Sequence, residues 1–254
     1  MAPSFTLKEI DSLCNVIHQE INVMTSVIKE KLTQPIDMYS MFRCLTLDLI
    51  GVLGFGQSFN TLTDGPHDIE AWLFRSFIRS LVEITFPLLK HLINPPKDKL
   101  QRFTQSAIDN VRSNPNQPSI MASLIAARDP ESGDKLTDKE LIEEALLQIS
   151  AGSDSTANTM TWALYLILKH PQVNEKLTQE LFKYFPSLES PITLAECKQN
   201  KLPYLDAVIK ESMRVLPTAA GSLERVVPSG GREIDGHFLP EGVRSNNKLN
   251  IRLL

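Results

Sequence analysis

Six residues, "AGSDST" from Ala151 to Thr156, combine groups that move protons with a backbone that leaves room for a ligand. Asp154 is an acid and Ser155 and Thr156 are alcohols, so the three can line a pocket as a proton relay. Gly152 in a helix interior costs about 1 kcal/mol against alanine, which implies that something packs directly on the backbone there; a flat ligand is one candidate. The setting makes the group odd, because it lies inside "LIEEALLQISAGSDSTANTMTWALYLILKHP", which otherwise reads as one long apolar helix. A charged acid in such a helix is costly if unpaired. Serine and threonine can also bond the carbonyl one turn earlier and bend the helix. By itself the stretch is either a relay or a polar break facing a solvent channel.

Two further candidates follow. "ESMR" places Glu211 and Arg214 at i, i+3 in a helix whose apolar face is Tyr204, Leu205, Val208, Ile209 and Met213. That spacing usually makes an exposed ion pair. Arg225 in "LERVVPSGG" leads into a strand and alone is an ordinary surface arginine. Cys14, Cys44 and Cys197 are odd in number, widely spaced and set in helical patterns, which excludes a disulfide framework or a zinc site and leaves them as buried or half-buried thiols.

The elements that must position these residues are mostly helices. "TLKEIDSLCNVIHQEINVMTSVIKEKL" places Ile10, Leu13, Cys14, Ile17, Ile21, Met24 and Ile28 in one apolar stripe. Pro35 and Asp37 introduce a second helix that stops at glycines 54 and 56. "GPHDIEAWLFRSFIRSLVEITF" predicts a third, and two more flank the linker "NPNQP". A capping box, Thr137 with Glu140, starts the helix that carries the motif, and Pro171 ends it. From Thr137 to His170 it would run about 51 Å, enough to cross a domain. Beyond Asp154 it is apolar on nearly every face, which predicts burial on all sides. "PQVNEKLTQELFKYF", "TLAECKQN" and "LPYLDAVIKESMRVL" read as further helices. After Pro217 the texture changes to short runs in which Gly230-Gly231 and Asp235-Gly236 read as hairpin turns. The fold class is mainly α with a small β element.

Composition narrows the function. At 254 residues, 42% hydrophobic and 22% charged, the chain can bury a core and is neither disordered nor fibrous. A net charge of -4 with no basic cluster argues against nucleic acid as a partner. "MAPSFTLKEIDSLCNV" is charged too early for a signal peptide, and the charge-free run from Ser155 to Leu168 is too short to span a bilayer.

In order, "AGSDST", then "LPYLDAVIKESMR" with its glutamate 57 residues after Asp154, then "RVVPSGGREIDGHFLPEGV" resemble three signatures of the cytochrome P-450 superfamily of haem-thiolate monooxygenases. The first resembles the central I-helix motif, Ala/Gly-Gly-x-Asp/Glu-Thr-Thr/Ser. The second resembles the K-helix Glu-x-x-Arg, and the third the strands after it. "DMYSMFRCLTLDLIGVLGFGQSF" is also similar to the E helix of fungal secondary-metabolism members. The resemblance covers Leu7 to Val243 and implies a partial P-450 fold, helices about D to K. It implies that Ala151 and Gly152 form a groove for dioxygen and substrate beside haem, and that Asp154 with Ser155, and Thr156 in the next slot, relays protons. It makes Glu211 and Arg214 a structural pair bracing the haem-binding core, and Arg225 a hydrogen-bond donor to a haem propionate. It also implies NADPH-cytochrome P-450 reductase as electron donor and a small apolar substrate. Serine in place of threonine at 155 keeps the hydroxyl and loses the methyl that fixes its rotamer.

The departures bear on activity. The family's axial cysteine sits in a Phe-x-x-Gly-x-Arg-x-Cys-x-Gly loop after the K helix, and no cysteine follows Cys197. No protein ligand for iron is therefore expected here. Residues 1–243 are expected to form the partial P-450 domain and residues 244–254, "RSNNKLNIRLL", an unmatched tail. The membrane anchor and the A to C helices of the family have no counterpart, which implies a cytoplasmic or peripheral location. The expectation is a P-450-like chain without independent activity. The alternatives are an active monooxygenase with a truncated gene model and a cofactor-free helical interaction protein.

Overall fold

A computed structural model describes residues 14–65, 71–72, 78, 97–187, 192, 201–219, 224–234 and 236–246. The predicted segments around Phe74 to Phe86, apart from residue 78, and "TLAECKQN" with Cys197 lie outside these. Among the described residues are helices α1 (Cys14–Glu30), α2 (Met38–Phe55), α3 (Thr61–Asp64), α4 (Lys97–Ser113), α5 (Ile120–Ala126), α6 (Asp138–Lys169), α7 (Pro171–Tyr184) and α8 (Pro203–Val215). Strands β1 (Glu224–Val226), β2 (Arg232–Ile234), β3 (His237–Leu239) and β4 (Arg244–Asn246) follow.

The long helix α6 starts as its sequence predicts. The Thr137 hydroxyl accepts the Glu140 N–H while the Glu140 carboxylate accepts the Thr137 N–H, and together they satisfy two groups that a helix start leaves unpaired. From there 32 residues run without interruption to His170, where Pro171 opens α7. No break occurs at "AGSDST". The hydroxyls explain why: Ser153 donates to Ile149 O (2.6 Å), Ser155 to Ala151 O (2.7 Å), Thr159 to Ser155 O (2.9 Å) and Thr161 to Ala157 O (2.8 Å). Each of these four alcohols finds an acceptor one turn back within the helix.

Helix α2 makes the most extensive packing against α6. Asp37 caps its first turn by accepting the N–H groups of Tyr39 (3.0 Å) and Ser40 (3.3 Å). Gly56 ends it at φ 80°, a conformation few side chains tolerate, and donates its N–H to Val52 O. Where the helices cross, a Cβ on Gly152 would lie 2.2 Å from Ile50 Cδ1, and one on Gly54 would lie 3.3 Å from Gln148 Oε1. A glycine from each helix thus lets the backbones approach. Leu47, Phe55, Ile108, Met121, Leu141, Ala145 and Ile149 form the core beneath this crossing.

A second cluster joins α1 to α2. Val23, Met24, Val27 and Ile28 pack on Met41, Cys44, Leu45 and Leu62. Met24 and Ile28 of the expected apolar stripe pack in this cluster and Cys14 and Ile17 are half-buried, while Ile21 is exposed and the neighbouring Glu20 is buried. The fully buried Asp48 carboxylate accepts Thr61 N–H (2.8 Å), the Thr61 hydroxyl (2.9 Å) and Leu62 N–H (2.9 Å), capping α3 from a neighbouring helix. Cys44 is buried and Cys14 half-buried, as expected of structural thiols.

Two expectations change. The apolar second half of α6 is not covered on all sides: Trp162, Tyr165 and Leu168 are exposed, Leu168 by 65%. There α7 and α8 pack against part of its circumference only. Gly230-Gly231 is a turn, closed by Gly231 N–H to Pro228 O, but it does not join paired strands. β1 pairs antiparallel with β4, and β2 with β3, where Ile234 faces His237, so the hairpin is inserted between the outer strands. The first three residues of the stretch expected to match nothing, Arg244–Asn246, are that outer strand. Among the described residues α2 is the one helix long and apolar enough to cross a membrane, and over half of it is buried within the fold.

Three substitutions check this packing by urea denaturation. Asp48→Ala should cost about 3 kcal/mol, since two buried N–H groups lose their acceptor. Gly152→Ala should cost about 1 kcal/mol net, overpacking outweighing the helix-propensity gain, and Ile50→Val, which removes the colliding methyl, should recover part of it.

Candidate functional site

Around the motif α6 presents three sides. Ile149, Ser153 and Ala157 are buried, Gln148 and Gly152 face α2, and Ala151, Asp154, Ser155 and Thr156 are exposed. Ala151 and Ser155 stand one turn apart on the same exposed face and are tied by the 2.7 Å bond from the Ser155 hydroxyl to the Ala151 carbonyl. Thr156 is the next residue, rotated about 100° round the helix. The small side chains at 151 and 155 leave the backbone of this turn open.

Gly152 has a different job from the one its neighbours suggest. The space a side chain would take there is filled by Ile50, so the glycine serves the contact with α2 rather than a ligand groove. Asp154 is joined to α2 as well: Arg43 Nη2 lies 3.5 Å from Asp154 Oδ1. The Arg43 guanidinium in turn sits 5.4 Å from the centroid of the Tyr39 ring. The acid in the apolar helix is therefore neither buried nor uncompensated.

A second segment reaches the exposed face. Thr218, just after α8, places its hydroxyl 2.9 Å from Thr159 Oγ1 and donates at 3.5 Å to the Ser155 carbonyl. Arg43, Ile50 and Thr218 are the residues that sequence reasoning missed. Their partners lie 59 or more positions away in the chain, and no local pattern marks them.

Glu211 and Arg214 form the pair their spacing predicts. Arg214 Nε donates to Glu211 Oε2 and Nη2 to Oε1, both at 2.7 Å, a bidentate fork on the surface of α8. Hydrogen bonds from Arg214 hold the Glu211 carboxyl below its usual range. The pair borders a groove of ≈ 870 Å³ between α6, α7 and α8 whose walls include Trp162, Tyr165, Val173, Tyr204 and Val208. Arg225 stands exposed on β1, opposite Ser245 of β4. Ala151, Asp154, Ser155 and Thr218 thus gather on one face of α6, while Glu211 and Arg214 border the separate α6–α8 groove. Among the described residues no group of three or more His, Cys, Asp or Glu side chains could hold a metal ion.

The Glu211 carboxylate gives a pH test. Its value is lowered in the folded chain, so its contribution is present above the ordinary glutamate value of 4.5 and is lost as pH falls through the lowered one. The difference in melting temperature between the parent and Glu211→Gln should therefore shrink on acidification below 4.5 and stay constant above it.

The chain matches known proteins over nearly its whole length. The family model described as Cytochrome P450 matches residues 1–245. Cytochrome P450 monooxygenase traB of Penicillium crustosum is 36% identical over 240 residues, covering 89% of this chain and 46% of that protein. Cytochrome P450 monooxygenase macH of Penicillium terrestre is 30% identical, covering 96% of this chain and 52% of that protein. Among solved structures, cytochrome P450 CYP102L1 superposes with a TM-score of 0.77 at 22% identity, covering 98% of this chain and 56% of that one. The haem domain of cytochrome P450DA superposes at 0.79 with 17% identity, covering 97% and 55%. The fold is thus a partial P450 fold, and the chain spans about half the length of the relatives it matches. With its sequence and its helices both matching along that half, the chain belongs to the cytochrome P450 family.

Proposed function

We propose that these 254 residues are the oxygen-side portion of a fungal haem-thiolate monooxygenase that hydroxylates a small apolar secondary metabolite. The observation that carries this is the open turn of α6, where the Ser155 hydroxyl is held 2.7 Å from Ala151 O beside an acid, Asp154, on the exposed face. In this reading Asp154 takes a proton from solvent and Ser155, with Thr156 beside it, passes it along that face. The Ser155 hydroxyl gives its one proton to the Ala151 carbonyl, so in a relay that bond opens: a lone pair of Oγ accepts a proton from the acid side as the hydroxyl proton passes on to the acceptor. Arg225 donates hydrogen bonds to a carboxylate of the cofactor, the Glu211–Arg214 fork braces α8, and NADPH-cytochrome P-450 reductase supplies electrons.

The residues fit haem on one side only. Haem bound through a cysteine thiolate supplies the O–O cleaving chemistry of this family. The open turn at Ala151 suits its oxygen side, and Arg225, exposed on β1, would be a donor to a carboxylate of the group. The iron ligand is a different matter: Cys44 is buried in the α1–α2 cluster and Cys14 lies on α1. Cys197 lies outside the described residues, in a segment without the glycine-rich loop. We therefore read the 254 residues alone as incapable of turnover. A second reading, a cofactor-free interaction protein, draws support from the exposed Trp162, Tyr165 and Leu168.

Two measurements test this. Purified chain supplied with haem, reduced and exposed to carbon monoxide, should give no thiolate-type Soret band; a thiolate band overturns the inactive reading. A chimera in which residues 14–243 replace the aligned stretch of the Penicillium crustosum relative should show that band and turn over. In it Asp154→Asn should slow turnover about 100-fold, the size typical of losing a positioned proton donor. An unaffected rate would remove the relay reading, and a chimera that folds but binds no haem would favour the interaction protein.

A further inference from the structure

Arg43 lies more than a hundred positions from the motif in sequence, yet it is the cation that meets the motif's acid. Its Nη2 stands 3.5 Å from Asp154 Oδ1, and its side chain is 24% exposed against 57% for the acid. The guanidinium also lies over the Tyr39 ring, one turn earlier on α2, at 5.4 Å from the centroid. Tyr39 thus limits where the cation can go. The backbones that carry Arg43 and Asp154 meet at the close contact of Gly152 and Ile50, about two turns from Arg43 along α2 and about half a turn from Asp154 along α6. An exposed aspartate on a helix has more than one rotamer open to it, and a cation fixed on one flank selects among them.

We infer that Arg43 is a positioning residue for Asp154: from α2 it holds the carboxylate at the α2 edge of the open face, beside Ser155. Its functional meaning rests on the reading of Asp154 as the relay acid, while the geometry stands apart from it. Arginine suits the place better than lysine would, because a planar guanidinium can stack on Tyr39 and still present an N–H edge to the carboxylate. Arg43 touches the acid and not Ala151 or Ser155, so its effect on proton movement passes through Asp154.

The test uses the full 254-residue chain without cofactor. Parent, Arg43→Met, Asp154→Asn and the double variant form a cycle read by urea unfolding. The coupling should be about two- to fivefold in the unfolding equilibrium constant, the range for partly exposed pairs, and should fall as salt is raised. The side-chain carboxyl ¹³C resonance of Asp154 at fixed neutral pH should move in Arg43→Met and return towards the parent position in Arg43→Lys. A merely structural arginine, packing through its stem and Tyr39, would destabilise the chain when replaced yet give no coupling and no movement of that resonance, which overturns the inference. If Arg43→Met does not fold, the parent and Arg43→Lys still answer: an Asp154 resonance that is indifferent to salt in both overturns it too. Failure here leaves the chimera test of Asp154 untouched, and an unaffected Asp154→Asn chimera removes the relay while leaving this coupling intact.

Discussion

Gly152 and Ile50 meet where α6 crosses α2, and the other features of this half-fold follow from how closely they meet. A Cβ on Gly152 would stand 2.2 Å from Ile50 Cδ1, so any other residue there would force the Ile50 side chain to move. The close crossing brings Leu47 and Phe55 of α2 onto Ala145 and Ile149 of α6 and closes the core over α4 and α5. It also brings Arg43 within reach of Asp154, since both lie within two turns of the crossing. One missing side chain therefore sets the core packing and the electrostatic setting of the motif together.

The polar cluster within an apolar helix is compatible with helix because its alcohols are satisfied locally. Four hydroxyls donate to carbonyls one turn back, so the backbone does not have to open to accommodate them. The same arrangement leaves Ala151 and Ser155 as a small-residue turn on the exposed side. A helix that is polar at its centre, packed on one face and open on the opposite one, can carry reacting groups without sacrificing the continuity that positions them. Thr218 adds a second point of attachment, tying the segment after α8 to the Ser155 carbonyl and to Thr159.

The exposed apolar residues tell a related story. Trp162, Tyr165 and Leu168 lie on the second half of α6, beyond the crossing with α2, where α7 and α8 cover only part of the helix. Relatives at 30–36% identity are about twice as long as this chain, and solved structures of the family superpose over 55–56% of their length. The apolar surface and the partial coverage agree in describing one part of a larger fold.

Much was legible in sequence because it depends on near neighbours. The Thr137–Glu140 box, the Asp37 cap, the Gly56 stop, the Pro171 boundary, the Asp235-Gly236 hairpin and the Glu211–Arg214 fork all arise from groups within four residues of one another, so residue type and spacing determine them. The order of three short motifs was enough to indicate the family. What tertiary structure decided is whatever joins distant segments: that Gly152 makes room for Ile50, that Asp154 is met by Arg43, that Asp48 caps α3, and that β1 pairs with β4 across an inserted hairpin. Periodicity states that a helix has an apolar face but not which neighbour will cover it. For that reason the exposed end of α6 and the burial of Glu20 beside an exposed Ile21 on α1 could not be read from sequence. Contacts between helices depend on how they cross, and a crossing is set by shape, which no single helix encodes.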